Sequence, residues 1–302
     1  MDSFKRAPAG LRSFLFAPGN HPRRAEKVFQ AGADVVILDL EDAVAVAEKE
    51  ATRAKVVTAM KKPRASLGYV RINGVDSRWC MGDIEAVIGP WLDGIVLPKT
   101  ESADQLRLVS ERMSEAERRL GMAGGRLDLM PIIETALGVE SAREIAAAGP
   151  RVRRLAFGGG DYTNDLDIIW TPEEHELAYA RARLTHASRI AGIEPPVDTV
   201  VIQVKDTERF RLSALHGRRA GFAGKLCIHP DQVAPCNEVF SPTDDEIDYS
   251  RRVVAAFEQA EASGSAAISL DGNFIDYPIV YKAQRILALA ARISGKAAQL
   301  VG

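Results

Sequence analysis

Cysteine is scarce in this chain. Cys80, Cys227 and Cys236 are the only three in 302 residues, and they are widely spaced with no CxxC pair. That argues against a disulfide framework or a thiolate zinc site and points to reduced, mostly buried thiols. Long hydrophobic runs are also missing. Stretches such as Val35–Leu38 are far shorter than the roughly 20 apolar residues needed to cross a bilayer, so no membrane partner is expected. Lys5, Arg6 and Arg12 near the start are not followed by the apolar core of a secretory signal, which points to the cytoplasm. An excess of one charge is absent too, with 39 Lys+Arg against 41 Asp+Glu. With no basic stripe carrying interleaved aromatics, nucleic acid is not an expected partner.

Two nucleotide signatures are lacking as well. No GxGxxG follows the first apolar run, and Gly158-Gly159-Gly160 is not followed by the Lys-Ser/Thr of a P-loop. Glycine there more simply lets the backbone approach a ligand or metal closely. His175 and His186 stand eleven apart on the segment Pro172–Ile190, too far for a chelating pair, and His229 before Pro230 reads as loop-fixing.

What the chain does have is alternation. Eight short aliphatic runs, Leu11–Ala17, Val35–Leu40, Leu67–Ile72, Gly94–Pro98, Leu127–Ile133, Arg154–Phe157, Thr199–Val204 and Gly224–Ile228, are separated by helical segments. Nearly continuous apolar strands are what a parallel sheet covered on both faces requires. Eight such units in this length predict an α/β fold, a (β/α)8 TIM barrel over residues 1–240, in preference to an open doubly wound sheet.

A barrel of this kind collects function at the C-terminal ends of its strands. There the runs deliver Asn20, placed to cap a helix, then Asp39-Leu40-Glu41-Asp42, Arg71-Ile72-Asn73, Lys99-Thr100-Glu101, Glu134, Asp161 and His229. Glu134 and Asp161 close successive strands of one strand–helix–strand unit, the helix marked by Val139, Ala142, Ile145 and Ala146, so they should emerge side by side. Two carboxylates so close repel unless a proton or cation lies between them, and an oxygen-ligand dication such as Mg²⁺ is the sharper reading. The plainer one is that each caps a helix. Asp39, Glu41 and Asp42 alternate in direction, so one or two should serve as caps or as ion-pair partners of Arg71 or Lys99; Arg71 itself reads either as a structural bridge or as a functional cation.

Beyond the eighth run, Pro242-Thr243-Asp244-Asp245-Glu246 opens a helix to about Ala262, a hairpin turns at Asp271-Gly272, and a final helix covers Ile279–Ile293. Residues 241–302 thus form a helix–hairpin–helix extension, expected to act as a lid or in oligomerisation. Phe274, Ile275 and Tyr277 around Asp276 suit a lid that carries one acid into an apolar site.

The set LFAPGN, VVILDLEDAV, YVRING, GIVLPK, MPIIET, FGGGDYTNDL, ELAYARARL, GKLCIHP and DGNFIDYP resembles the citrate lyase β-subunit family, within the HpcH/HpaI aldolase group that includes malyl-CoA and citramalyl-CoA lyases. The resemblance covers nearly the whole chain. It implies a (β/α)8 barrel, usually a homotrimer or hexamer, that makes or breaks a C–C bond beside an acyl thioester of CoA or of an acyl carrier. It implies Glu134 and Asp161 as Mg²⁺ ligands, Arg71 at the reacting carbonyl with Asp39 near it, and Asp276 as an acid/base reaching a neighbouring subunit's site. Arg71, Lys99 and Glu41 are the expected substrate-binding residues. The glycines at 158–160 are a departure, since relatives often carry a larger polar residue there. Two other functions stand beside this one: an aldolase acting on free 2-oxo hydroxy acids, and a subunit that works only with a carrier-bound thioester. Arg23, Arg24 and Lys27 are candidates for the CoA 3′-phosphate or else a solvated helix face.

Overall fold

A computed structural model describes the chain from residue 10 to residue 301, with side chains as far as residue 295. Residues 1–9, which the sequence assigns to the barrel domain, and residue 302 lie outside the described residues. The chain parts into two compact units, residues 11–239 and residues 240–302, the second grouped with Gly10.

In the first unit eight parallel strands close into a barrel in sequence order. They are β1 (Ser13–Pro18), β2 (Val35–Asp39), β3 (Leu67–Arg71), β4 (Gly94–Leu97), β5 (Asp128–Ile133), β6 (Ala156–Phe157), β7 (Val197–Asp198) and β8 (Gly224–Cys227), and β8 pairs back onto β1. Between them run α1 (Pro22–Lys27), α2 (Lys49–Met60), α3 (Cys80–Val87), α4 (Ala103–Arg119), α5 (Ala136–Glu140), α6 (Ala142–Ala146), α7 (Gly159–Asp165), α8 (Ala178–Ala191) and α9 (Thr207–Arg219), with α10 (Val233–Val239) after β8. This is the expected (β/α)8 architecture. Every residue of β2, β4, β5 and β8 is buried, which is why those segments are mostly aliphatic, with Asp39, Asp128 and Lys225 as the charged exceptions. Asp128 and Lys225 are paired there: Arg154 Nη1 and the Tyr69 hydroxyl both donate to Asp128 Oδ2, at 2.5 and 2.6 Å, and Lys225 Nζ reaches Asp198 Oδ2 at 2.8 Å.

Three local expectations change. The seventh strand is Val197–Asp198, not Thr199–Val204. Val197 is the residue that pairs with both Ala156 and Gly224, while the apolar run that follows leaves the sheet, with Val201 buried and Ile202 61% exposed. Asn20 does not cap α1; the cap position is His21, and Asn20 Nδ2 donates instead to Glu48 Oε2 at 2.7 Å. The helix between β5 and β6 is two short helices, α5 and α6, broken at Ser141.

In the second unit α11 (Asp244–Ala262) starts with a capping box, Thr243 and Glu246 exchanging side-chain to backbone hydrogen bonds. The hairpin of β9 (Ile268–Leu270) and β10 (Asn273–Ile275) turns through Asp271 and Gly272, both at positive φ, 52° and 76°, as a tight two-residue turn demands. α12 (Tyr277–Val301) follows, and Val253, Phe257, Ile275, Val280 and Ala283 form the unit's core. No described helix is long and apolar enough to cross a membrane.

Candidate active site

Strand register builds the first half of the site. In the β2–β3 ladder Asp39 is the partner of Arg71, so the last residues of two adjacent strands meet at the barrel mouth. Arg71 Nε and Nη2 reach Asp39 Oδ1 and Oδ2 at 2.7 and 2.6 Å, a bidentate pair, and Nη1 reaches Glu41 Oε2 at 3.0 Å. Glu41 Oε1 takes Lys99 Nζ at 2.7 Å. The two Asp39 oxygens also accept the N–H groups of Glu41 and Ala43 at 2.9 and 3.0 Å, so this carboxylate is fully engaged. The guanidinium carbon lies 5.0 Å from the centre of the Phe16 ring. Burial opposes the charge on Arg71, yet the Asp39 and Glu41 carboxylates outweigh it and hold its pKa above the ordinary value. Burial likewise raises the pKa of Glu41, against the pull of Arg71 and Lys99. Asp42 sits at the rim, 3.8 Å from Arg71 Nη1 and 3.6 Å from Lys99 Nζ.

The second half is the carboxylate pair. Glu134 follows the last residue of β5 and is 3% exposed; Asp161 lies in the first turn of α7, after β6. Glu134 Oε1 accepts the backbone N–H of Lys99 at 2.7 Å, and Lys99 holds that N–H in place with φ at 48°, a left-handed conformation unusual for a side-chain-bearing residue. Burial pushes the Glu134 carboxyl up to about 8, the Lys99 N–H opposing and the Asp161 charge adding to the rise. Among the described residues neither Glu134 nor Asp161 forms an ion pair. Phe16, Asp39, Arg71, Glu134, Asp161 and Thr199 are among the residues lining one cavity of about 300 Å³.

That donor set fits a hard dication. No group of three or more His, Cys, Asp or Glu side chains gathers in a metal-binding arrangement among the described residues. Mg²⁺ needs no such cage, because it is commonly held by one or two carboxylates and completes its octahedron with water and substrate oxygens.

The structure therefore brings Arg71, Asp39, Glu41, Lys99, Glu134 and Asp161 to one mouth. Asp276 belongs to the second unit, half-buried between β10 and α12, its carbonyl accepting the N–H groups of Ile279 and Val280. His229 accepts the Asp231 N–H through Nδ1 and shapes its own turn. Sequence reasoning missed two residues here. Buried Lys49 donates to Leu40 O, Glu41 O and Asn73 Oδ1 at 3.2, 2.9 and 2.6 Å, fixing the chain that carries Glu41. A lysine at the first position of a helix gave no signal of this. Thr199, at the cavity wall, was hidden inside the misplaced seventh strand.

Fold and mouth together define a (β/α)8 barrel of the catalytic kind, with an acidic pair and an ion-paired arginine lining one cavity at the C-terminal strand ends. The chain belongs to the HpcH/HpaI aldolase/citrate lyase family, whose sequence model matches residues 12–230. It is 39% identical over 281 residues to a citrate lyase subunit beta of Leuconostoc mesenteroides subsp. cremoris, spanning 92% of this chain and 93% of that protein. It is 34% identical over 307 residues to an L-malyl-CoA/beta-methylmalyl-CoA lyase of Rhodobacter capsulatus, covering 94% and 96%. Among solved structures, the CitE protein of Mycobacterium tuberculosis in complex with magnesium, acetoacetate and coenzyme A superposes with a TM-score of 0.76 at 28% identity, over 95% of this chain and 99% of that one.

Proposed function

We propose that this protein is a Mg²⁺-dependent carbon–carbon lyase that cleaves a β-hydroxyacyl thioester of the citryl-, malyl- or citramalyl-CoA type into a 2-oxo acid and an acyl thioester. The observation that carries the reading is one cavity lined both by Glu134 and Asp161, without ion-pair partners among the described residues, and by the ion-paired Arg71. The magnesium and coenzyme A of the Mycobacterium tuberculosis structure, and the malyl-CoA lyase relative, support the metal and the substrate class.

Glu134 and Asp161 would hold the ion, which when bound supplies Lewis acidity toward the substrate's hydroxyl and carboxylate oxygens. Loss of the hydroxyl proton makes that oxygen the carbonyl oxygen of the departing 2-oxo acid as the C–C bond breaks. The electron pair of that bond passes to the thioester fragment as an enolate. Arg71, held permanently charged by Asp39 and Glu41, faces that negative oxygen as a fixed donor. Asp39 orients Arg71, and Lys99 and Glu41 complete the polar wall against which the substrate sits. Asp276 then gives its proton to the enolate carbon, delivered by residues 241–302 of a second copy acting as a lid. The working protein is accordingly a homo-oligomer, a trimer or hexamer, in the cytoplasm.

The identity with a citrate lyase subunit beta favours a second reading, in which the thioester hangs on an acyl carrier. Purified protein with Mg²⁺ and malyl-, citramalyl- and citryl-CoA separates the two, with the 2-oxo acid followed directly. Turnover that Glu134→Gln abolishes is the expected result. No turnover of any CoA thioester by protein that binds Mg²⁺ would refute the CoA reading in favour of the carrier.

A further inference from the structure

Thr199 is a cavity residue that the proposed reaction leaves without a task. We propose that it is a positioning residue for Asp161, acting through the backbone of Gly159; the inference rests on the reading of Glu134 and Asp161 as the metal pair. α7 begins at a glycine cap, Gly158, which has no side chain to satisfy the helix's first N–H groups. The Thr199 hydroxyl, arriving from the end of β7, performs that task from another strand. Its Oγ1 accepts the Gly159 N–H at 2.7 Å, and Thr199 is completely buried.

The other side of the segment is tied to β5. The Gly158 N–H donates to the carbonyl of Ile133, the residue before Glu134, at 3.0 Å. Residues 158 and 159 are thus slung between the strand that carries Glu134 and the strand that precedes Thr199, and Asp161 follows two residues on. The sling has no slack. A Cβ at position 158 would lie 2.4 Å from Glu134 Oε2, and one at position 159 would lie 2.9 Å from Thr199 Oγ1, whereas one at position 160 meets only Trp170, at 3.7 Å. Within the turn, Thr163 Oγ1 donates to the Gly159 carbonyl at 2.9 Å. Thr199 is itself firmly seated, because the preceding Asp198 is held by Arg181 at 3.0 Å and by Lys225 at 2.8 Å. Removing the hydroxyl frees the first turn of α7 from β7 while Glu134 stays with β5, so the spacing of the two carboxylates is no longer set.

Titration calorimetry with Mg²⁺ on the full chain, below the melting temperature of every variant, tests this. Thr199→Val should bind Mg²⁺ about 10- to 100-fold more weakly than wild type, the range typical when a ligand's supporting hydrogen bond is lost. Thr199→Ser, which keeps the acceptor, should restore affinity. Thr199→Ala serves as a second acceptor-free variant should the valine protein not fold. Wild-type affinity in the acceptor-free variants, with Asp161→Asn weakened, overturns the role of Thr199 and leaves the metal pair standing. Equal affinity of wild type and Asp161→Asn, or no binding by wild type, overturns the metal pair itself and with it this inference.

Discussion

Mg²⁺ binding at neutral pH should release close to one proton. Burial places the Glu134 pKa at about 8, so at pH 7 about nine in ten of these carboxyls carry a proton that a metal ion must displace. From pH 6 to pH 8 the apparent affinity should therefore climb about 50-fold, close to tenfold up to pH 7 and about fivefold from there to pH 8, and level off above about pH 9. The same shift sets the stability of the metal-free protein. The folded pKa lies above the ordinary glutamate value of 4.5, so the folded state holds the proton more tightly than the unfolded chain does. Stability is then fully present below about 4.5, declines as pH rises through about 8, and changes by a few kcal/mol at most. Calorimetric titration of Mg²⁺ in two buffers of different ionisation enthalpy counts the protons directly. The expected release is about 0.9 at pH 7 and near zero at pH 9.5, with Glu134→Gln showing none at either. A release near zero at pH 7, together with an affinity flat between pH 6 and pH 9, would show that Glu134 is ionised before the metal arrives and would refute the reasoning.

Arg71→Lys keeps a charge but loses the fork that spans Asp39 at 2.7 and 2.6 Å; kcat should fall about 10²- to 10³-fold while Mg²⁺ affinity is retained, and a matching collapse of metal binding would make Arg71 structural instead. Asp276→Ala should cost about 10²- to 10⁴-fold in kcat with metal binding intact, and unchanged turnover would remove its role as the acid. Asp198→Asn leaves Lys225 buried without its carboxylate and Arg181 with Glu174 alone, and should cost about 3–5 kcal/mol in denaturant unfolding. Burial alone would raise the Asp198 pKa, but Lys225 and Arg181 hold it below the ordinary aspartate value of 3.8, so wild type should shed stability more steeply than the variant as pH falls below that value.

What the sequence disclosed depended on how far a residue's job is local. β2, β4 and β5 are buried throughout, and their aliphatic runs announce them. β7 offers two paired residues after Pro195-Pro196, and the longer apolar run behind it drew the assignment past the true strand. Glu134 and Asp161 could be brought together on paper because one strand–helix–strand unit supplies both. The pairing of Asp39 with Arg71 needed only adjacent strands, but its bidentate form depends on a register that places the two residues opposite each other. The left-handed backbone of Lys99, the reach of Lys49 and the hydroxyl of Thr199 are tertiary facts. Each joins a backbone group to a side chain outside its own element, and no spacing rule encodes that.

The two halves of the mouth differ in how their charge is balanced, and that difference gives the site its polarity. Asp39, Glu41, Arg71 and Lys99 neutralise one another through contacts of 2.6 to 3.0 Å, so this wall presents a guanidinium fixed in place with little net charge behind it. Among the described residues no cation pairs with Glu134 or Asp161, and burial stores the resulting cost in the raised Glu134 pKa. A dication relieves that cost on binding, while Arg71, already satisfied, has no reason to swing across and form the ion pair itself. The interlocked wall thus keeps the carboxylate pair free for a metal. It also leaves the Arg71 guanidinium lining the same cavity as the carboxylate pair, a fixed donor for the negative charge that the proposed carbon–carbon cleavage develops.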